Sequence, residues 1–468
     1  MSYSNISEDL IIILQNLLGA EHVLYDAESL SNYGHDETER LVYLPEVVLR
    51  PLTAEHVSAI MKLANQYNIP VTPRGAGTGL SGGALPVRGG IILSTERFNR
   101  IIEIDERNLQ ATVEPGVINE VFQNAVREKG LFYPPDPASK GSCFLGGNIA
   151  ESSGGPRCVK YGTTKDYILN LEVVLPTGEI IMTGANTLKN STGYNLTQLM
   201  IGSEGTLGIV TKIVVRLIPA PKYDLLMLVP FRNLDQACEA VSMVFRAGFT
   251  PSALELMERD ALDWVSRYVE STVVKIEPDI QAHLLIEVDG NDPEQLMKEM
   301  EAISVLMENY DVAEILFADS AAQKNELWKL RRKINEAVMS NAISKEQDTV
   351  VPRAELPALV KGVKAVGAKY GFKSVCYGHA GDGNLHIRII KGDISNEKWN
   401  GDYIKKAISE IFVICKELGG TISGEHGIGL IQQEYMHIVF SDKALDIQRS
   451  IKKVFDPNGI LNPGKMFN

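Results

Sequence analysis

Pro73-Arg74-Gly75-Ala76-Gly77-Thr78-Gly79-Leu80-Ser81-Gly82-Gly83 is the stretch from which this chain is read. It follows Ile69-Pro70-Val71, a short apolar run that predicts a buried strand. Five glycines and two small hydroxyl residues leave almost no side chain over the backbone. Successive exposed N–H groups in such a loop form a nest for an anion, suited to a pyrophosphate. Arg74 adds a fixed positive charge. Gly77-Thr78-Gly79-Leu80-Ser81-Gly82 also fits the letters GxGxxG, with Glu96 near the place of a ribose-binding acid. A Rossmann fingerprint, however, must open a helix whose N-terminus holds the pyrophosphate. Here Gly83-Ala84-Leu85-Pro86 follows, then Gly89-Gly90 and the strand-like Ile91-Ile92-Leu93. The pattern predicts a phosphate loop between strands and disfavours a nicotinamide-type Rossmann domain.

The length of 468 residues predicts two to four domains. Hydrophobic residues at 44% and charged residues at 22% fit a soluble globular composition. A net charge of −13 argues against a nucleic-acid partner and against a strongly anionic membrane surface. No apolar run reaches the roughly 18–20 residues that span a bilayer. Asp9-Leu10-Ile11-Ile12-Ile13-Leu14 is short, follows acids and lacks a cleavage site, so it is not read as a signal peptide. Cys143, Cys158, Cys238, Cys376 and Cys415 are scattered and form no CxxC, which leaves no iron–sulfur or zinc-knuckle spacing. A reducing, cytoplasmic setting is the expectation.

Residues 6–18 predict an amphipathic helix, and Thr53 to Tyr67 another, with Thr53 as its N-cap. Short strands follow at Ile91–Ser94, Ile101–Ile104 and Ala111–Val113. A second glycine-rich zone begins at Tyr133-Pro134-Pro135-Asp136-Pro137. It runs through Gly146-Gly147-Asn148-Ile149-Ala150 and Ser152-Ser153-Gly154-Gly155 to Tyr161-Gly162-Thr163. Small residues here let the main chain approach a flat ligand closely. A third piece is Ile201-Gly202-Ser203-Glu204-Gly205-Thr206-Leu207-Gly208-Ile209-Val210. Ile218-Pro219-Ala220-Pro221 predicts a boundary. Beyond it, Leu225–Pro230 and His283–Val288 read as strands, Leu234–Arg246 and Pro293–Asn309 as helices, an α+β rhythm with an antiparallel sheet.

These three ordered pieces resemble the FAD-binding fold of the vanillyl-alcohol oxidase and p-cresol methylhydroxylase superfamily. Within it the chain is most similar to the flavin-bearing component of glycolate oxidase and to the flavin D-lactate and D-2-hydroxyglutarate dehydrogenases. The resemblance implies an α+β protein with a two-part FAD-binding domain and an α/β cap domain carrying an antiparallel sheet. It places FAD-binding residues 1–220, a substrate domain 221–420 and a C-terminal return 421–468. It implies FAD contacts from Pro73, Arg74, Gly75, Ala76, Gly77, Thr78, Gly79 and Ser81 in the first loop. Pro137, Gly146, Asn148, Ser153, Gly154, Tyr161 and Gly162 follow from the second zone, then Glu204, Gly208, Ile209 and, in the C-terminal turn, Asn462. Some members bond FAD covalently through a loop His; Ala76 and Thr78 stand in that neighbourhood, which implies non-covalent FAD.

The other concentrated signal is Tyr377-Gly378-His379-Ala380-Gly381-Asp382-Gly383-Asn384-Leu385-His386-Ile387-Arg388. Asp-Gly between strand-like residues predicts a two-residue hairpin turn. With Asp382-Gly383 as the turn, His379 stands opposite His386, and opposed residues share a face. Two imidazoles so placed suit one metal ion, and Glu425 in Ser423-Gly424-Glu425-His426-Gly427 offers a carboxylate as third ligand. Two His, one Glu and open positions make a catalytic arrangement of a kind that zinc, iron and manganese all accept. Trp328–Asn335 predicts a basic helix whose Arg331 faces either solvent or a substrate carboxylate.

HxGDGNxH followed by GEHG resembles the metal-bearing D-2-hydroxyacid dehydrogenases. That resemblance implies His379, His386 and Glu425 as ligands of a divalent metal, His426 as catalytic base and Arg331 as carboxylate clamp. Where members acting on the larger dicarboxylate carry Asn, this chain has Arg388, and where they carry Lys it has Glu346-Gln347-Asp348. The departure favours a small monocarboxylate. The expectation is therefore FAD-dependent oxidation of a small D-2-hydroxy acid to the 2-oxo acid, D-lactate first and glycolate second. D-2-Hydroxyglutarate is a further alternative. With no cluster ligands of its own, the chain is expected to hand electrons to a partner protein such as an electron-transferring flavoprotein. The reading from another class is a non-catalytic flavin subunit of a larger complex.

Overall fold

The computed structural model describes residues 3–38, 41–269, 274 and 276–467. The chain divides into two compact units. One comprises Met1–Gly154, Thr163–Ala220 and Glu425–Asn468; the other, Gly155–Gly162 and Pro221–Gly424. The segment Gly155–Gly162, read in the sequence with the first unit, folds with the second.

In the first unit, a four-stranded sheet runs in the order Val23–Leu24, Val47–Leu49, Ile91–Ser94, Val71–Arg74. The last three are parallel. The strand expected at Ile69–Val71 instead begins at Val71 and continues through Pro73 and Arg74. Pro73 is tolerated because this strand lies at the sheet edge, where its missing N–H breaks no central ladder. Beyond it, Val71 N–H donates to the Ile460 carbonyl at 2.8 Å, and Asn462 N–H donates to the Val71 carbonyl at 2.7 Å. The helix Ala54–Tyr67 forms as expected: Thr53 Oγ1 accepts from His56 N–H, and Asn68 closes it in the left-handed region. Its Val57, Ile60, Met61 and Ala64 share a core with Leu10, Leu14 and Leu18 of the helix Glu8–Leu18. Between Gly75 and Gly90 there is no helix, as the sequence implied. A five-stranded antiparallel sheet is ordered Ile101–Asp105, Gln110–Val113, Ile209–Arg216, Ile168–Val174, Ile180–Met182.

The second unit is built on seven antiparallel strands. Their order is Leu316–Phe317, Tyr223–Phe231, Ala282–Gly290, Ala253–Glu258, Lys373–His379, Asn384–Ile390, Ser344–Val350. Alternate residues share a face, and one face sets Leu226, Leu228, Leu285, Met257, Val375 and Tyr377 against the helices Arg259–Tyr268, Ala321–Arg332 and Ile334–Asn341. The same parity runs on into Glu255, Glu287, His379 and His386, so this face changes from apolar to charged within the sheet. The helix read across Trp328–Asn335 is two helices broken at Lys333. The break lets Leu327, Trp328 and Leu330 on one side, and Ile334 and Val338 on the other, bury in a single core.

The hairpin register differs from the expected one. His379 pairs with Asn384, and His386 with Tyr377. A 3-10 turn at Ala380–Asp382 followed by Gly383 at φ +83° makes a four-residue loop. The neighbouring chain dictates this. Val351 N–H donates to the Gly383 carbonyl, and a Cβ on Gly383 would stand 1.9 Å from the Val351 oxygen. Because the slip is two residues and the side-chain period is two, both histidines remain on one face.

Candidate active site

Glu255 is the hub of the charged face. It is fully buried on the strand Ala253–Glu258, in the middle of the sheet. His379 Nδ1 lies 2.8 and 3.0 Å from its two oxygens, and Arg331 Nε lies 2.7 Å from Oε2. Burial alone would raise the Glu255 carboxyl, but the charges of His379 and Arg331 and the His379 hydrogen bond outweigh it and hold it low. The Arg331 guanidinium sits 5.1 Å from the Tyr377 ring centre. Its Nε and Nη2 are both buried without a hydrogen-bond partner, the contact with Glu255 being an ion pair. The rings of His379 and His386 stand edge to face with centres 5.4 Å apart.

His386 Nδ1 lies 3.6 Å from Glu346 and 3.7 Å from Asp348, both on the adjoining edge strand. Asp348 is fully buried and accepts from Asn384 Nδ2 at 2.7 Å, Gly424 N–H at 2.8 Å and Ser423 Oγ at 3.1 Å. It therefore fixes the backbone immediately before Glu425 and His426, which open the C-terminal part of the first unit. Gly424 has no room for a side chain, since a Cβ would meet Val350 at 2.5 Å and Asn384 at 2.6 Å. Arg388 and Glu346, the two departures from the dicarboxylate pattern, are cross-strand partners joined by an ion pair.

In the first unit the glycine loop surrounds polar groups that the protein leaves unsatisfied. Arg74 is buried with Nη1 lacking a partner, and Ser81 Oγ is likewise buried and unpartnered. Such groups are costly unless a ligand takes them. Gly77 adopts φ +73°, and a Cβ there would strike Arg74 Nη2. Around Gly79 and Gly147 a Cβ would meet nothing within 4 Å. A buried guanidinium, a buried hydroxyl and open backbone at two glycines fit a diphosphate-bearing cofactor such as FAD.

The remaining residues singled out in the sequence fall into two groups. Gly146 lies in the first turn of the short helix Leu145–Glu151 and packs on Pro115, where a Cβ would come to 2.6 Å. Asn148 donates to Asn119 Oδ1, the Ser153 carbonyl accepts from Thr164, and the Pro137 carbonyl accepts from Lys140 N–H. Gly208 lies against Val173, and Ile209 begins a strand opposite Val174. These positions shape the backbone of the first unit. Tyr161 and Gly162 lie in the segment that folds with the second unit, where Tyr161 OH donates to both Asp289 oxygens at 2.9 Å.

Glu204 adopts φ +51° and accepts from Ile428 N–H at 2.7 Å and Gly429 N–H at 2.6 Å. Asn462 Nδ2 donates to the Glu204 carbonyl at 2.8 Å. Burial pushes the Glu204 carboxyl up to about 7, although both backbone donors pull it back, and burial brings Lys465 down to about 8. Glu204 thus binds its proton more tightly folded than unfolded. Its contribution to stability is complete below its ordinary value of 4.5 and is lost as pH rises through about 7. Glu204→Gln should therefore flatten the fall in Tm between pH 5 and pH 8, measured in one cofactor state. An unchanged slope would remove Glu204 as its source.

Residues 45–184 match the FAD binding domain family, and residues 220–466 match the C-terminal domain family of FAD linked oxidases. The chain belongs to the FAD-linked oxidases. This FAD-linked oxidase is 40% identical over 436 residues to glycolate oxidase subunit GlcD of Bacillus subtilis (strain 168), covering 93% of this chain and 92% of that protein. It is 37% identical over 475 residues to a D-lactate dehydrogenase of Anaerostipes hadrus, covering 99% and 98%. The crystal structure of p-cresol methylhydroxylase with bound substrate superposes with a TM-score of 0.79 at 20% identity, covering 97% of this chain and 96% of that one, and so shares its fold.

In this FAD-linked oxidase the sequence had not singled out Glu255 or the buried role of Asp348. Glu255 sits in Ala-Leu-Glu-Leu-Met-Glu between Leu254 and Leu256, an alternation that reads as Glu255 turned to solvent. The signal that exposes it is topological: a central strand has no solvent face when both sides of the sheet are covered.

Proposed function

We propose that this chain oxidises a small D-2-hydroxy acid, D-lactate first and glycolate second, to the 2-oxo acid. The observation that carries this reading is the buried Arg331 guanidinium, with an unpartnered Nη2, on the same Glu255 as His379. A fixed guanidinium suits a substrate carboxylate, and the adjoining His379 is one of the three metal-ligand candidates. The named relatives, a glycolate oxidase subunit, a D-lactate dehydrogenase and a D-2-hydroxyglutarate dehydrogenase of Xanthomonas citri, share this substrate chemistry. Arg388, neutralised by Glu346, offers no spare charge to a second carboxylate, which supports a monocarboxylate over D-2-hydroxyglutarate.

In this reading Arg331 orients the substrate carboxylate and His426 accepts the hydroxyl proton, its ordinary pKa near 6.5 being suited to the task. FAD, when bound, supplies the acceptor for the hydrogen and electron pair leaving Cα. It is held non-covalently, since the loop carries Ala76 and Thr78 and no histidine. His379, His386 and Glu425 would hold a divalent zinc, iron or manganese ion, which would supply Lewis acidity toward the substrate oxygens. Imidazole and carboxylate donors fit such an ion. Electrons then pass to a partner protein, with an electron-transferring flavoprotein first among candidates. No helix among the described residues is long and apolar enough to cross a membrane, and all five cysteines are free thiols, which supports a reducing cytoplasmic setting.

Anaerobic mixing with D-lactate, L-lactate, glycolate and D-2-hydroxyglutarate tests the reading. D-Lactate should bleach the FAD absorption fastest, and pre-treatment with a chelator should abolish it. Failure of all four, with FAD and metal content confirmed, would leave a non-catalytic flavin subunit.

A further inference from the structure

We propose that Glu255 is a positioning residue: it holds the His379 imidazole and the Arg331 guanidinium in one fixed arrangement that binds the substrate anion. The inference rests on the reading of Arg331 and His379 as substrate-site groups and assigns the residue that aligns them. Three separate elements meet at this carboxylate, the strands Ala253–Glu258 and Lys373–His379 and the helix Ala321–Arg332. His379 Nδ1 lies 2.8 and 3.0 Å from the two carboxylate oxygens, which fixes the orientation of the imidazole ring. Oε2 meets Arg331 Nε at 2.7 Å while the guanidinium lies over Tyr377. The ion pair and the Tyr377 ring hold the guanidinium in place, and its Nη2 is a buried donor without a hydrogen-bond partner, left for a ligand.

A plain core ion pair would predict something different. It would make Glu255 matter for stability alone, with substrate-anion affinity unchanged in whatever protein folds. Glu255→Gln separates the two. The amide keeps the shape but carries no charge and puts an NH2 donor where one carboxylate oxygen stood, so the ion pair with Arg331 is lost and His379 Nδ1 keeps only one accepting oxygen.

The FAD-loaded E255Q variant should retain its flavin spectrum. Pyruvate, a 2-oxo acid that cannot reduce the flavin, should bind at least tenfold more weakly by calorimetry. kcat/KM for D-lactate should fall at least 100-fold, and Glu255→Asp, which keeps the charge, should recover at least tenfold of that loss. Pyruvate affinity in E255Q within tenfold of wild type would overturn the proposal. Should E255Q fail to fold, the charge-neutral pair Glu255→Gln with Arg331→Met is compared with Arg331→Met alone. A further tenfold loss of turnover supports the alignment of His379, and a smaller one overturns it. Wild-type protein that neither binds pyruvate nor bleaches with any 2-hydroxy acid would instead remove the functional reading, and this proposal with it.

Discussion

His426→Asn is expected to slow anaerobic reduction of the bound FAD by D-lactate by about 10²–10⁴-fold, the range for loss of a general base. The backbone around it should not move. The Glu204 carboxylate accepts from the N–H groups of Ile428 and Gly429, and Gly427 adopts φ +79°, so the turn is held by contacts that do not involve the imidazole. Asn preserves some hydrogen bonding but does not take a proton near neutral pH. FAD content, Tm and pyruvate affinity should therefore stay close to wild type while the rate collapses. Stopped-flow flavin bleaching measures the rate directly. A variant that reduces its flavin within tenfold of the wild-type rate would assign the proton to another group.

Arg331→Met is expected to lower kcat/KM for D-lactate by roughly 10²–10³-fold, since truncating one side of a buried charge pair costs about 2–5 kcal/mol. Methionine retains most of the aliphatic stem, so the side chain still fills the space beside the Tyr377 ring. What goes is the positive charge paired with Glu255 and the donor offered by Nη2. Lysine should not rescue it. Its single ammonium cannot both meet the Glu255 carboxylate and present a second, fixed donor while stacking on Tyr377. All of Arg331's named partners are in the second unit, whereas the FAD binding family match covers residues 45–184, so the flavin absorption should persist. Steady-state kinetics with an artificial electron acceptor, alongside pyruvate calorimetry, would measure both effects. Full activity in R331K would show that charge alone suffices and that the fork geometry is immaterial.

The parts of the molecule written in local chemistry were legible in the sequence. The helix Leu234–Arg246 begins after Asn233, whose side chain accepts from Gln236 N–H, and its apolar residues recur at helical spacing. Thr53 and Asn68 mark the ends of Ala54–Tyr67 in the same way. The lack of a helix between Gly75 and Gly90 was legible as well, because Pro86 and Gly89-Gly90 lead straight into the strand Ile91–Ser94. Features decided by distant neighbours were not legible. Asp382-Gly383 carried a strong two-residue hairpin signal, yet Val351, from another part of the sheet, claims the Gly383 carbonyl and lengthens the loop. The shared face survived only because the slip was even. Glu255 was invisible for a related reason, since nothing local says that its strand lies between Ala282–Gly290 and Lys373–His379. The Arg388–Glu346 pair was visible as two unusual residues but not as partners, which takes the register of the edge strand.

Interleaving of the chain between the units also has a consequence for biosynthesis. Lys160 finds Asp289, 129 residues further along, and at about 5–20 residues per second it waits roughly 6–26 s for that partner to be made. Tyr3 waits longer still, because its hydroxyl donates to the Gly459 carbonyl 456 residues away. The strand at Val71, from which the phosphate loop springs, gains its second neighbour only when Ile460 has been translated. Nascent chains on the ribosome would thus expose an unfinished cofactor cradle for roughly 20–80 s. Flavin supply and chaperone cover would matter most in that interval, and an expression host short of either would accumulate apoprotein or aggregate even when the finished enzyme is stable.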